Sequence, residues 1–182
     1  KIGLGIMGWA DLLVMAGVNY ASTEATLLAK KLMKFIKELA EEATIALAKE
    51  RGPFPAFNKS IFKDDVPRRN ATLLTIAPTG TISMIADCSS GIEPHFSLAY
   101  TKNVMDGTAL YYVNEQLETE LKERKLYSKE LIKKIADNHG TLKGVAEVPD
   151  DMKKYYTTSH EIKPEWHVKM QSNFQKSVCN SI

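Results

Sequence analysis

Hydrophobic residues recur along this chain with spacings that predict mainly helices. Residues 4–16 are apolar on nearly every side, which predicts a buried helix, and Gly17 is a plausible C-cap for it. Ser22 predicts the N-cap of a second helix of about 28 residues, which the Gly52-Pro53 pair ends. Its apolar face is predicted at the helically spaced positions Ala25, Leu28, Leu32, Phe35, Ile36, Leu39, Ala43, Ala46 and Leu47.

Two short segments between the helices predict strands. Residues 73–77 form a short apolar run typical of a strand covered on both faces, and residues 96–104 alternate apolar with small or polar side chains. Further helices are predicted over 81–86, 108–125, from Ser128 to about 138, near 150–155 and from Pro164 onward. Strands interleaved with long helices indicate an α/β architecture.

Composition and charge exclude several classes of protein. The 182 residues are enough for one domain with a sizeable core. A net charge of +2 and dispersed lysines argue against a nucleic-acid partner. No apolar run reaches the roughly 18 residues of a membrane span, and no signal peptide is visible, so we expect a cytoplasmic protein without a membrane partner. The chain opens without methionine and stops without a helix-ending signal, so we also expect a piece of a longer polypeptide.

The segment 69–83 is the strongest candidate for a ligand site. It is predicted to run from a buried strand through a Pro-Thr-Gly-Thr turn into a helix N-terminus, where unpaired N–H groups and the helix dipole favour an anion. Pro78 ends the strand, and Gly80 lets the backbone approach a ligand closely. Hydroxyl groups come from Thr79, Thr81 and Ser83. No lysine follows as in a nucleotide-hydrolysing P-loop, which favours binding a phosphate over transferring it, while an ordinary turn with threonine caps stays the alternative.

Four separate strings in this chain resemble one family in the same order. Residues 77–83 (Ala-Pro-Thr-Gly-Thr-Ile-Ser) and 89–94 (Ser-Ser-Gly-Ile-Glu-Pro) resemble the large catalytic subunit of ribonucleotide reductase in its class II, adenosylcobalamin-dependent form. Residues 4–12 and 164–171 resemble segments of the same family, so the resemblance covers essentially the whole chain. The aerobic di-iron class usually has Ala or Glu where Gly80 stands, which favours class II.

The resemblance implies a ten-stranded α/β barrel that binds a ribonucleotide, with residues 1–182 as a single segment from the C-terminal half of that barrel. It implies substrate-phosphate contacts from Thr79, Gly80, Thr81, Ile82 and Ser83. Pro78 and Glu93 are expected near the site, and Glu93 either acts directly or holds its loop in place. Adenosylcobalamin is implied for the full-length enzyme and not for this segment alone. The implied partners are the substrate and the rest of the barrel, in the same or a separate polypeptide.

The redox chemistry of that family is not expected within this chain. The family uses a cysteine that becomes a thiyl radical, two reducing cysteines, and a nearby Asn and Glu, which in family order precede this segment. Cys88 and Cys179 match none of these and are predicted to be buried or semi-buried free thiols. We therefore predict no catalytic residue here and no turnover by this chain alone. The four histidines lack metal-ligand spacing, so no metal site is predicted.

Two other functions stay open at this point. The chain could be a stand-alone phosphate- or nucleotide-binding module, or a structural half-barrel that a separate polypeptide completes. The residues do not discriminate between ribonucleotides, between a diphosphate and a triphosphate, or between oligomeric states. The reductase interpretation requires that the turn at 78–80 lead into a helix N-terminus facing an open concavity.

Overall fold

The computed structural model describes residues 1–103, 109–180 and 182. Within these residues the chain forms helices throughout its length and one two-stranded antiparallel sheet. The α-helices are α1 (Trp9–Met15), α2 (Thr23–Arg51), α3 (Gly80–Ile85), α4 (Glu115–Glu123), α5 (Lys129–Asp137), α6 (Asp150–Lys153) and α7 (Pro164–Gln175). The strands are β1 (Ala99–Asn103) and β2 (Ala109–Val113), and short 3-10 turns cover Phe57–Lys59 and Ser159–Glu161.

The long helix α2 confirms its predicted caps. The Ser22 side chain accepts a hydrogen bond from the Ala25 N–H at 3.0 Å, and Gly52 closes the helix with a φ of 75°. The predicted apolar face is only partly correct, because Phe35 and Leu39 are exposed. The buried positions of α2 carry Met33 and several smaller side chains: Ala25, Thr26, Ala29, Thr44 and Ala48.

The start of the chain is extended rather than helical. The helix predicted over 4–16 begins only at Trp9, and Leu4 is exposed instead of buried. The Leu4 N–H donates to the Leu73 carbonyl at 2.8 Å, and the Thr75 N–H donates to the Leu4 carbonyl at 3.0 Å. A Cβ at Gly5 would collide with the Thr75 carbonyl oxygen, so glycine permits this close pairing.

The predicted strand at 73–77 is extended and largely buried, but its ladder is reduced to one parallel bridge between Leu74 and Leu4. On its other side the Leu74 carbonyl accepts a hydrogen bond from the Cys179 N–H at 2.9 Å. The segment is therefore held between the first residues of the chain and the residues that follow α7.

The helix predicted from 108 to 125 is wrong in its first part. Residues 109–113 form β2, which pairs with β1 so that Tyr100 lies opposite Tyr112, and their rings stack at 5.2 Å. The pairing across the sheet and the β-propensity of tyrosine and valine outweigh the helical spacing. Helix α4 begins after Asn114, whose side chain accepts a hydrogen bond from the Leu117 N–H at 3.0 Å. Positions 104 and 108 of the two predicted elements lie outside the described residues.

The later helices confirm their predicted starts. The Ser128 side chain accepts a hydrogen bond from the Leu131 N–H at 3.0 Å and caps α5, and Gly140 follows that helix with a φ of 72°. Pro164 is the first residue of α7. Among the described helices, none has both the length and the apolar character needed to cross a membrane.

Two hydrophobic clusters share helix α1. Trp9 and Leu13 belong to a cluster with α2, α7 and residues 73–76, where the Trp9 and Phe174 rings meet edge to face at 5.1 Å. Val14 belongs to a second cluster formed with β1, α4, α5 and residues 142–156. Helix α1 therefore lies where the two clusters meet. Asp11 is a residue of this helix.

Candidate functional site

The turn that was predicted to bind a phosphate leads directly into α3. Thr79 is the N-cap residue, and α3 begins at Gly80. Nothing lies within 4 Å of the position where a Cβ on Gly80 would stand, and Thr81 and Ile82 are exposed. The first backbone N–H groups of a helix have no intrahelical partner, so this turn presents free donors at an open surface.

The Thr79 side chain joins the two candidate motifs. Thr79 is only 6% exposed, and its hydroxyl accepts a hydrogen bond from the Gly91 N–H at 2.7 Å. The same hydroxyl lies 3.3 Å from the Ser90 hydroxyl. Gly91 has a φ of 45°, which favours glycine, and a Cβ there would lie 3.4 Å from the Ala77 carbonyl oxygen. The contacts of Thr79 are therefore made within the protein.

The Ser83 side chain is also turned inward. Ser83 is 3% exposed, and its hydroxyl donates to the Gly80 carbonyl at 3.3 Å. Its backbone N–H donates to the Thr79 carbonyl at 2.8 Å and closes the first turn of α3. Of the three hydroxyls predicted at this turn, the one on Thr81 belongs to an exposed residue.

A cleft of about 380 Å³ opens beside the turn. Pro78, Gly91 and Glu93 line it from the two motifs, and His167 and Gln171 line it from α7. Three of the four strings that carried the resemblance therefore meet at one cleft. The turn leads into a helix N-terminus as predicted, and Ala77 and Pro78 just before it line the cleft. That the N-terminus of α3 itself faces this concavity stays a prediction, because none of residues 79–83 lines the cleft.

Tyr20 is a cleft residue that the sequence did not reveal. Its hydroxyl donates to the Ile92 carbonyl at 2.8 Å, and its ring lies 6.3 Å from the His167 ring. Burial raises the pKa of Tyr20 above its usual range, and the negative charge of Glu93 adds to the effect. Tyr20 therefore stays protonated, and its hydrogen bond holds the loop just before Glu93. Glu93 itself is exposed at the cleft.

Asp11 is a second residue that the sequence did not reveal. Its carboxylate accepts a hydrogen bond from the Ser89 N–H at 2.5 Å and another from the Asn114 side-chain amide at 3.4 Å. The His95 Nε2 atom lies 3.4 Å from the same carboxylate, and the two side chains are 8% and 10% exposed. The one sequence signal was a carboxylate inside the apolar run at 4–16, since its partners come from distant segments.

The surroundings of His95 favour its neutral imidazole form. Burial lowers the pKa of His95, and the nearby Asp11 carboxylate opposes that shift without overcoming it. Its Nε2 atom is at ion-pair distance from Asp11 but lacks a hydrogen bond within the part of the chain that the structure describes. This pair links α1 to the residue that directly follows the 89–94 motif.

Both cysteines are free thiols; Cys88 is half-buried as predicted, whereas Cys179 is exposed rather than buried. The Cys179 sulfur accepts hydrogen bonds from the Leu73 and Leu74 N–H groups at 3.2 and 3.5 Å. Burial raises the pKa of Cys88, and the charges of Asp11 and Asp87 add to it, so the reactive thiolate is disfavoured. Among the described residues, no group of three His, Cys, Asp or Glu side chains could hold a metal ion.

Comparison with known proteins decides the family. The family model described as "Ribonucleotide reductase, barrel domain" matches residues 1–68 and 64–182. The chain belongs to the ribonucleotide reductase barrel-domain family. The predicted family is thus confirmed over essentially the whole chain.

Relatives and a solved structure agree with this family. The chain is 46% identical over 182 residues to the vitamin B12-dependent ribonucleoside-diphosphate reductase of Thermoplasma acidophilum, covering 100% of this chain and 23% of the relative. It is 44% identical over 178 residues to the reductase of the same name from Mycobacterium tuberculosis, covering 98% of this chain and 25% of the relative. The chain therefore spans about a quarter of the length of the curated relatives it matches.

The structure is similar to the class Id ribonucleotide reductase alpha subunit of Actinobacillus ureae, with a TM-score of 0.80 and 29% identity. The match covers 97% of this chain and 31% of that subunit. The predicted α/β barrel class is confirmed, and the chain forms part of such a reductase barrel.

Proposed function

We propose that the full-length protein that contains this chain reduces a ribonucleoside diphosphate to its 2'-deoxy form by thiyl-radical chemistry with adenosylcobalamin. Support comes from relatives of 46% and 44% identity whose names state vitamin B12 dependence and a diphosphate substrate. The family match over residues 1–68 and 64–182 supports the same reaction class. Residues 1–182 are one segment of the C-terminal half of the barrel in this proposal.

The part of this chain in that reaction is to bind the substrate phosphates at the N-terminus of α3. The observation that carries the proposal is the exposed first turn of α3, which begins two residues after Pro78 in the wall of the 380 Å³ cleft. The backbone N–H groups of Gly80, Thr81 and Ile82 offer donors there, and the helix dipole favours an anion. The open space at Gly80 lets a phosphate reach these groups.

The five predicted contact residues divide into two roles. Gly80, Thr81 and Ile82 form the surface that touches the phosphates, with the Thr81 hydroxyl as the side-chain donor. Thr79 and Ser83 hold the turn from inside, because their hydroxyls bond to Gly91 and Gly80. Pro78 and Glu93 line the cleft.

Adenosylcobalamin supplies the radical when it is bound, and we propose that residues outside this chain hold it. The cleft beside α3 is about 380 Å³, which suits one small ligand.

The cysteines that reduce the ribose are also proposed to lie outside these residues. The raised pKa of Cys88 and the structural hydrogen bonds to Cys179 support this division. It follows that the chain by itself binds phosphate groups but does not reduce a ribonucleotide.

A binding experiment on the full-length protein tests the phosphate site. Thr81→Val removes the hydroxyl and keeps the shape of the side chain, so we expect roughly tenfold weaker binding of a ribonucleoside diphosphate and unchanged binding of the matching nucleoside. Thr119→Val is the control, because Thr119 is an exposed threonine on α4 that does not line the 380 Å³ cleft. Unchanged diphosphate binding by Thr81→Val, or an equal loss for the nucleoside, contradicts the proposal.

A further inference from the structure

We propose that Asp11 is a positioning residue for the phosphate-binding turn, and that it acts through Ser89, Gly91 and Thr79. The inference rests on the proposed function of the α3 N-terminus. Asp11 lies on α1, outside the turn and outside the cleft that the turn borders. From there Asp11 holds the turn in its binding geometry.

Asp11 holds Ser89 in place through two hydrogen bonds. The Ser89 N–H donates to the Asp11 Oδ2 atom at 2.5 Å, and the Asp11 N–H donates to the Ser89 hydroxyl at 3.3 Å. Asp11 is itself immobilised, because Trp9 and Leu13 on the same helix are both 1% exposed in the hydrophobic core. Two reciprocal hydrogen bonds on a buried helix determine both the position and the orientation of Ser89.

The second step extends this hold from Ser89 to Gly91. The Gly8 N–H donates to the Ser89 carbonyl at 2.8 Å, and the Trp9 N–H donates to the Gly91 carbonyl at 3.3 Å. These two N–H groups belong to the start of α1, where helix geometry leaves donors free. Residues 89–91 are thus bound along the N-terminal turn of α1.

The third step connects Gly91 to the phosphate turn. The Gly91 N–H donates to the Thr79 hydroxyl at 2.7 Å, and the Thr79 carbonyl accepts the Ser83 N–H at 2.8 Å in the first turn of α3. A shift of Ser89 therefore moves Gly91, and a shift of Gly91 moves the N-cap of α3. The direction of the free N–H groups at Gly80–Ile82 depends on that N-cap.

A carboxylate suits this position better than its amide. The Oδ1 atom faces two nitrogen groups, the Asn114 amide at 3.4 Å and the His95 Nε2 atom at 3.4 Å, while Oδ2 accepts from Ser89. A carboxylate offers acceptors on both sides. Asn at position 11 turns an NH₂ group toward either the Ser89 or the Asn114 donor, so one of those hydrogen bonds is lost.

The test compares Asp11→Asn with Asp87→Asn in the full-length protein. Asp87 is exposed and lies with Asp11 in a second cleft, separate from the 380 Å³ cleft beside the turn. Its φ of 52° is one that asparagine tolerates, so it is a matched control for the loss of one charge. We expect roughly tenfold weaker binding of a ribonucleoside diphosphate to Asp11→Asn, and wild-type binding to Asp87→Asn. Binding of the matching nucleoside stays unchanged in both variants. In turnover, KM for the diphosphate rises while kcat stays within about twofold.

A double variant tests the route through Thr79. If Asp11 acts through Gly91 and Thr79, the loss in Asp11→Asn/Thr79→Val is smaller than the sum of the two single losses. Additive losses overturn the route. Equal diphosphate binding by Asp11→Asn and Asp87→Asn, or an equal loss for the nucleoside, overturns the whole inference.

The proposed function fails in a distinguishable way, because then Thr81→Val also leaves diphosphate binding unchanged. Where Asp11→Asn does not fold, Ser89→Ala replaces it, since it removes only the hydroxyl that accepts the Asp11 N–H. The expected direction and the overturning results are the same for Ser89→Ala, with a smaller loss of diphosphate binding.

Discussion

The Thr79 hydroxyl and the Gly91 backbone N–H are joined by a hydrogen bond of 2.7 Å. This bond links the turn at 77–83 with the segment at 89–94, which are separated in the sequence by residues 84–88. The Thr79 side chain therefore connects the two motifs within the protein, and the exposed residues of α3 begin at Gly80.

Removal of the Thr79 hydroxyl is expected to lower stability as well as binding. Thr79→Val leaves the Gly91 N–H without its acceptor in a buried position, which costs about 1–3 kcal/mol in the free energy of unfolding. Denaturant unfolding of the full-length protein measures the change. Thr81→Val is the control, because Thr81 is exposed and its loss affects phosphate binding without a comparable loss of stability. Equal stabilities of the two variants contradict this role of Thr79.

Backbone strain is the main cost expected for a side chain at Gly91. Gly91 and Gly17 have positive φ values of 45° and 66°, so alanine at either position costs about 1 kcal/mol from the backbone. The new Cβ at Gly91 makes only ordinary van der Waals contacts, 3.4 Å from the Ala77 carbonyl and 3.6 Å from the Thr79 hydroxyl, and nothing lies within 4 Å at Gly17. We expect Gly91→Ala and Gly17→Ala to lose similar unfolding free energies, and only Gly91→Ala to bind the diphosphate more weakly, because Gly91 contacts the N-cap of α3. Equal diphosphate binding by the two variants contradicts this role of Gly91.

A pH dependence of stability follows from His95. Burial lowers the pKa of His95 below the roughly 6.5 of an unfolded chain, so the unfolded state binds the proton first as the pH falls. The contribution of the neutral imidazole is therefore fully present above about pH 6.5 and is lost as the pH falls below that value. Urea unfolding between about pH 7.5 and 5 measures it, with His95→Gln as the variant that lacks this proton. An equally steep fall in the His95→Gln variant contradicts the assignment.

The cysteines provide a test of where the redox chemistry lies. We expect Cys88→Ser and Cys179→Ser in the full-length protein to keep turnover within about threefold of the wild type, because the redox cysteines are proposed to lie outside this chain. At Cys179 the oxygen of serine can also accept the Leu73 and Leu74 N–H groups. The measurement is deoxyribonucleotide formation with a chemical dithiol as reductant. A loss of about a thousandfold in either variant would assign a redox cysteine to this chain.

The behaviour of the 182-residue chain in isolation discriminates among the three functions considered. Met84, Ile85 and Phe96 are exposed large hydrophobic residues, so we expect the isolated chain to self-associate and to show no reductase activity. Analytical ultracentrifugation and a turnover assay measure these properties. A well-behaved monomer that binds a ribonucleotide tightly in calorimetry would favour the stand-alone module. Activity restored by a second, separately encoded polypeptide would favour the half-barrel that a partner completes.

Elements with local signals could be predicted from the sequence. Ser22 and Ser128 cap helices where expected, because an N-cap bond joins residues only three positions apart. Pro164 starts α7 for an equally local reason, since its ring suits the first helical turn. The segments at 4–8 and 109–113 were wrongly predicted as helix, because short apolar runs fit both periodicities and only their partners decide between them.

The sequence by itself determined the family, the long helices and the turn that leads into α3, because these depend on motifs and on interactions between near neighbours. Only the tertiary structure decided which hydroxyls at that turn are available, since Thr79 and Ser83 are used inside the protein. It also brought Asp11 to Ser89 and His95, and Tyr20 and His167 to the cleft. Such contacts join residues that are far apart in the chain, and their positions result from the packing of α1 and α7 on a shared core.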